Sequence, residues 1–77
     1  MRKLGIIAGG GTLPRRIAEA HANAGGGVFM IAFIEITPDE TIDGIDHAWV
    51  KLGRIQDAMD AMISAGVEDV VMAGPIK

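Results

Sequence analysis

The chain has 77 residues, 49% of them apolar and 22% charged, with a net charge of -3 at pH 7. That length fits one domain or part of one, because a ~60-residue chain buries only about 60% of the surface that its unfolded form exposes. Seven Lys and Arg residues scattered along the chain form no basic stripe, which argues against a nucleic-acid partner; the lack of cysteine excludes disulfides, thiolate metal sites and thiol nucleophiles, and agrees with a cytoplasmic location.

Leu4-Gly5-Ile6-Ile7-Ala8 is a continuous apolar run that stops at glycines, the pattern of a strand covered on both faces in a parallel sheet. Met1-Arg2-Lys3 ahead of it does not make a secretory leader, because the glycines cut the run before the ~7–15 apolar residues required. From Leu13 the spacing predicts a helix with Leu13, Ile17, Ala20 and Ala24 facing inward, and Pro14 fits its first turn. Gly25-Gly26-Gly27 ends that helix.

Val28 to Ile34 is a second apolar run, rich in β-branched and aromatic residues, and reads as a central strand. It is far shorter than the ~18 residues of a membrane span. The acidic connection that follows contains Thr37-Pro38-Asp39-Glu40, a capping-box pattern that predicts one helical turn. His47 to Leu52 alternates, with Ala48, Val50 and Leu52 on one face of a strand nearer an edge, and Trp49 is expected to pack between strand and helix. Ile55, Met59, Met62 and Ala65 mark a second helical stripe closed by Gly66, and Val67 to Ala73 is a fourth strand ending at Gly74-Pro75.

Strands alternating with helices of about 12 residues predict an α/β domain: a Rossmann-like, parallel four-stranded sheet in β-α-β-β-α-β succession with strand order 3-2-1-4. Residues 1–77 then form one nucleotide- or substrate-binding domain. The fourth strand would leave an apolar edge, which predicts pairing with more protein or a homo-oligomer through that strand.

The chemistry sits in Gly9-Gly10-Gly11-Thr12, between the first strand and first helix at the carboxyl edge of the sheet, where open α/β sheets bind ligands. Glycines let the backbone approach a phosphate, the helix N-terminus favours an anion, and Thr12 is placed to cap the helix or to donate its hydroxyl to phosphate. Gly9 and Gly11 fill two positions of G-x-G-x-x-G, but Pro14 stands at the third, and the lysine of a P-loop is missing. Glu35, beyond the second strand, is where a dinucleotide-binding domain would grip a ribose hydroxyl. Asp39, Glu40, Asp43 and Asp46 read as solvated rather than as a metal site, His21 and His47 as structural, and no serine or threonine has a histidine and acid partner in its sequence context.

Leu4 to Pro14, Asp46-His47-Ala48-Trp49-Val50-Lys51-Leu52-Gly53, and Gly66-Val67 with Val70-Val71-Met72-Ala73-Gly74 occur in this order and together resemble the N-terminal domain of the LpxI-type UDP-2,3-diacylglucosamine pyrophosphatases. The resemblance implies hydrolysis of UDP-2,3-diacylglucosamine to lipid X (2,3-diacylglucosamine 1-phosphate) and UMP in bacterial lipid A synthesis. Water would attack the α-phosphorus with a divalent metal such as Mg assisting, at the cytoplasmic side of the inner membrane with peripheral contact to it. It also implies a separate C-terminal catalytic domain that holds the catalytic acids, so that this chain alone is expected to be inactive. Gly9, Gly10, Gly11 and Thr12 then become candidate contacts for the nucleotide or its pyrophosphate, with Gly74 on the same sheet edge. A nicotinamide-dinucleotide-binding half of an oxidoreductase and a non-catalytic assembly module are the competing readings.

Overall fold

The computed structural model describes residues 2–75; Met1 and the terminal Ile76-Lys77 lie outside the described residues. In chain order the elements are β1 (Leu4–Ala8), α1 (Leu13–Asn23), β2 (Val28–Phe33), α2 (Asp39–Ile42), β3 (His47–Val50), α3 (Ile55–Ser64) and β4 (Asp69–Ala73). The strands form one parallel sheet in the order β3-β2-β1-β4, as the succession of elements predicts. Register places Ile6 between Met30 of β2 and Val71 of β4.

The apolar runs of β1 and β2 are continuous because both sheet faces are covered there, so side chains pointing either way need apolar neighbours. On one face Ile6, Ala8, Met30 and Ala73 meet Ala18 of α1. On the other, Ile31, Phe33 and Val50 meet Ala58 and Met62 of α3.

In each helix an alanine beside the predicted stripe is buried, while Ile17 and Met62 of the stripes pack inward as predicted and the first residue of each stripe stays exposed. In α1 the buried residues are Pro14 and Ala18, with Leu13 exposed, because Pro14 fits beneath the loop that leaves β4. In α3 they are Ala58 and Met62, while Ile55 and Met59 stay in solvent. Small alanines suit positions over the bulky Phe33, Ile31 and Val50, so bulk on the sheet side takes the place of bulk on the helix. Trp49 does not join the packing under α3: with His47 it faces the opposite side of the sheet, with the two rings edge to face at 6.1 Å, while Ala48 and Val50 face α3. Leu52 lies beyond β3 in an exposed turn.

α3 packs over β2 and β3, so that side of β4 is left open and Val70 and Met72 are 50% and 70% exposed. The start of β4 is tied to the chain leading into β1. The Arg2 guanidinium donates to Asp69 at 2.7 Å, and this bond, then the charges of Asp69 and Glu68, hold it above the ordinary arginine pKa. The Lys3 ammonium donates to the Ala65 carbonyl at 2.5 Å, closing the C-terminus of α3.

At the other end of the same two strands the backbones themselves interlock. The Gly9 amide donates to the Ala73 carbonyl at 2.8 Å and the Gly10 amide to the Pro75 carbonyl at 2.9 Å. No side chain fits between them: a Cβ on Gly9 would lie 2.5 Å from the Pro75 carbonyl oxygen and 2.6 Å from that of Gly74. One on Gly74, whose φ is +85°, would strike the Gly10 carbonyl oxygen. Gly9→Ala is therefore expected to cost about 1–3 kcal/mol through forced separation of the two turns. Gly10→Ala, where the nearest atom to a new Cβ is 3.7 Å away, should stay within about 0.5 kcal/mol of the parent. Urea midpoints measure both, and equal midpoints for the two variants would contradict the interlock.

Candidate functional site

All five residues singled out from the sequence, Gly9, Gly10, Gly11, Thr12 and Gly74, meet at the carboxyl edge of β1 and β4. The chain reverses direction of travel across the sheet between these two strands, which is where open α/β sheets form a ligand crevice. Here the mouth of that crevice is filled by backbone, since Gly9 and Gly10 spend their amides on Ala73 and Pro75.

The donors left over lie one step further along. Gly11 turns the chain with φ +75°, and Thr12 precedes α1 with φ -101° and ψ -12°. The amides of Gly11, Thr12 and Leu13 donate to no protein acceptor among the described residues. Thr12 uses its carbonyl to accept the first helical bond, from Arg16 at 3.1 Å, but its side chain does not cap the helix. Its hydroxyl and three amides thus remain available at the positive end of an 11-residue helix. Gly11 and Thr12 border a hollow of about 300 Å³ whose wall also includes Arg15, Arg16, Pro38, Glu40 and Thr41.

Two side chains hold α2 beside this hollow. Thr37 is not the cap of α2, because Pro38 holds that position. Buried instead, its hydroxyl donates to the Ala8 carbonyl at 2.8 Å and accepts the Phe33 amide at 2.9 Å, joining the ends of β1 and β2. Arg15 reaches across from α1 and donates to the carbonyls of Glu40 at 3.1 Å and Asp43 at 2.7 Å, holding α2 against the glycine turn. No local pattern signals such a clamp, since its partners lie 25 and 28 residues away. Glu35 is also committed: its carboxylate accepts the Leu52 amide at 3.0 Å and so fixes the turn after β3.

A larger hollow, about 410 Å³, lies between α1 and the α2–β3 connection, with Val28 and Asp46 on its wall. These residues mark the amino ends of β2 and β3, the edge of the sheet opposite the free amides. Among the described residues no three His, Asp or Glu side chains converge on one point. The described residues therefore do not fit a metal site by themselves. No helix among the described residues is long and apolar enough to cross a membrane.

A four-stranded parallel α/β sheet with a glycine turn feeding a helix at its carboxyl edge belongs to the broad class of open-sheet α/β domains. Residues 3–77 match the family model described as the LpxI N-terminal domain, and the chain belongs to that family. It is 36% identical over 76 residues to the UDP-2,3-diacylglucosamine pyrophosphatase LpxI of Caulobacter vibrioides, an alignment covering 99% of this chain and 27% of that protein. The chain thus spans about a quarter of the length of the relative it matches.

Because the Thr37 hydroxyl bridges two strand ends, Thr37→Val leaves a buried carbonyl and a buried amide unpaired, at a cost of about 1–3 kcal/mol. Thr37→Ser should recover most of that loss. Denaturant midpoints compare the three proteins, and amide exchange at Phe33 should accelerate in Thr37→Val alone.

Proposed function

We propose that this chain is the substrate-holding N-terminal part of a UDP-2,3-diacylglucosamine pyrophosphatase and that it grips the diphosphate of the UDP moiety on the amides of Gly11, Thr12 and Leu13. The observation that carries this reading is that those amides have no protein acceptor among the described residues and lie at a helix N-terminus, beside the hydroxyl of Thr12. Gly9, Gly10 and Gly74 serve the same site by closing the backbone beneath it. Membership of the LpxI N-terminal family and the activity that names the Caulobacter relative support the choice of UDP as the anion's carrier.

In this reading the chain binds and another part of the protein hydrolyses the anhydride, with any divalent metal held there. The reaction takes place on the cytoplasmic side of the inner membrane, with peripheral contact where the acyl chains of the substrate are embedded. A nicotinamide dinucleotide is a poorer fit, since Glu35 is engaged with Leu52 and Pro14 occupies the third glycine position of the fingerprint. The open edge of β4, with Val70 and Met72 exposed, takes a further strand or a second copy of the chain.

Titration with UDP, UMP, NAD and NADP, followed by amide NMR, tests the reading. UDP and UMP should shift Gly11, Thr12 and Leu13 while the chain alone releases no UMP from UDP-2,3-diacylglucosamine. Shifts confined to NAD or NADP would overturn it, and silence with every ligand would favour an assembly module. Light scattering at micromolar concentration should give the mass of an oligomer if β4 pairs with its own copy, and a monomeric mass removes that part of the proposal.

A further inference from the structure

Asp43-Gly44 is the only place in the chain where an aspartate or asparagine precedes glycine. The pair lies in the turn between α2 and β3, and both residues are exposed. Gly44 turns the chain with φ +74°, and a Cβ built on it would meet nothing within 4 Å, so the approach to its nitrogen is open. Its amide donates to no protein acceptor among the described residues. The Asp43 carboxylate has no ion-pair partner among them either. A carboxyl group one carbon from the main chain thus stands next to an unhindered, unbonded peptide nitrogen.

One contact opposes the reaction for which these two groups are set. Arg15 Nη1 donates to the Asp43 carbonyl at 2.7 Å, the shortest of its bonds to the carbonyls of this segment. That bond holds Asp43 at ψ 122°. A five-membered ring closes only when the Gly44 nitrogen and the Asp43 Cβ eclipse about the Cα–C bond, and at this ψ they stand about a third of a turn apart. Rotation to the reactive geometry swings the Asp43 carbonyl away from the guanidinium, so a charge-assisted hydrogen bond must break first.

We propose that Asp43-Gly44 is a site of spontaneous isoaspartate formation and that Arg15 is the latch that keeps it slow. The Gly44 nitrogen attacks Cγ of the protonated Asp43 carboxyl; the N–Cγ bond forms, and the carboxyl hydroxyl leaves as water with the amide proton. Water then opens the succinimide. Attack at Cγ restores aspartate, whereas attack at the former main-chain carbonyl gives isoaspartate, so one water is lost, one is regained and the mass is unchanged. The main chain then runs through Cβ and Cγ, one atom longer, and the carbonyl that Arg15 held becomes a free carboxylate. The connection that walls the larger hollow, through Ile45 and Asp46, is displaced with it.

Incubation of the chain for weeks at physiological temperature, followed by digestion and electron-transfer fragmentation, separates isoaspartate from aspartate at equal mass. Isoaspartate should accumulate at Asp43 and not at Asp39, Asp46, Asp57 or Asp60. Arg15→Gln should accumulate it about tenfold faster than the parent, the effect of losing a hydrogen bond from a charged donor. Arg15→Lys, which keeps the charge without the planar fork, should fall between them. Asp43→Glu, which would need a slower six-membered closure, should stay unmodified. Amide spectra show whether each variant keeps its sheet; if Arg15→Gln loses it, Arg15→Lys and a free peptide of residues 39–48 decide, the peptide marking the rate without a latch. Isoaspartate no more abundant at Asp43 than at the other aspartates, in the parent and in the Arg15 variants alike, would overturn the site. One common rate for the parent, Arg15→Lys and the free peptide would leave the site standing and overturn the latch.

Discussion

The meeting of two turns, Gly9-Gly10 after β1 and Gly74-Pro75 after β4, constrains everything at the carboxyl edge of this sheet. Parallel neighbours normally diverge where their chains depart into separate crossovers, and the gap between them is where a ligand enters. Here hydrogen bonds continue past the last ladder pair, Ala8 with Ala73, and the gap is closed by main chain. Glycine is needed on both sides because each backbone occupies the volume that the other's Cβ would take. With Gly74 pressed against it, Pro14 becomes one of the most deeply buried side chains and sets how α1 lies on the sheet. Close helix–strand contact, which a dinucleotide fingerprint obtains from a third glycine in its own turn, is obtained here from a glycine on the neighbouring strand.

Closure of that gap moves the available chemistry sideways. The amides without a protein acceptor among the described residues begin only at Gly11, beside the hollow that borders α2. That surface exists because α2, a helix of only four residues, is held from both ends: Thr37 ties its approach to β1 and β2, and Arg15 gathers the carbonyls at its far end. A helix so short has no cooperative stability of its own. Its position is imposed by these tertiary hydrogen bonds, several of them through a charged donor, which are stronger than neutral ones.

The fold was legible in the sequence because it rests on burial. Continuous apolar runs in β1 and β2, alternation in β3 and glycines after α1 and α3 report which surfaces lie inside, and parallel order follows from alternating elements. The helix faces were less legible, since an alanine counts weakly in a hydrophobic stripe yet Ala18 and Ala58 are the most deeply buried alanines against the sheet, beside Ile17 and Met62. Thr37, Arg15 and Glu35 were misread or unmarked because their roles depend on partners brought near only by folding. Thr37 carries the local pattern of a helix cap, yet the Ala8 carbonyl 29 positions earlier accepts its proton. The glycine turn was found for its position, while the division of labour within it, two glycines for closure and one for presentation, depends on the path of β4.

Anion binding on a chain of net charge -3 must then work without a general electrostatic attraction. The cations near the sheet ends are occupied: Arg2 with Asp69, Lys3 with Ala65, and Arg15 with Glu19 and the carbonyls after α2. Arg16 alone among the residues lining the glycine-turn hollow carries a positive charge without an ion-pair partner among the described residues. What remains beside Arg16 is a fixed set of backbone dipoles, which act over a short range and reward a phosphate only when it is in contact. Such a site selects by shape and position more than by charge. Under the proposed function such a cradle would hold a ligand delivered and oriented by its other parts and would leave the activation of water to groups outside it.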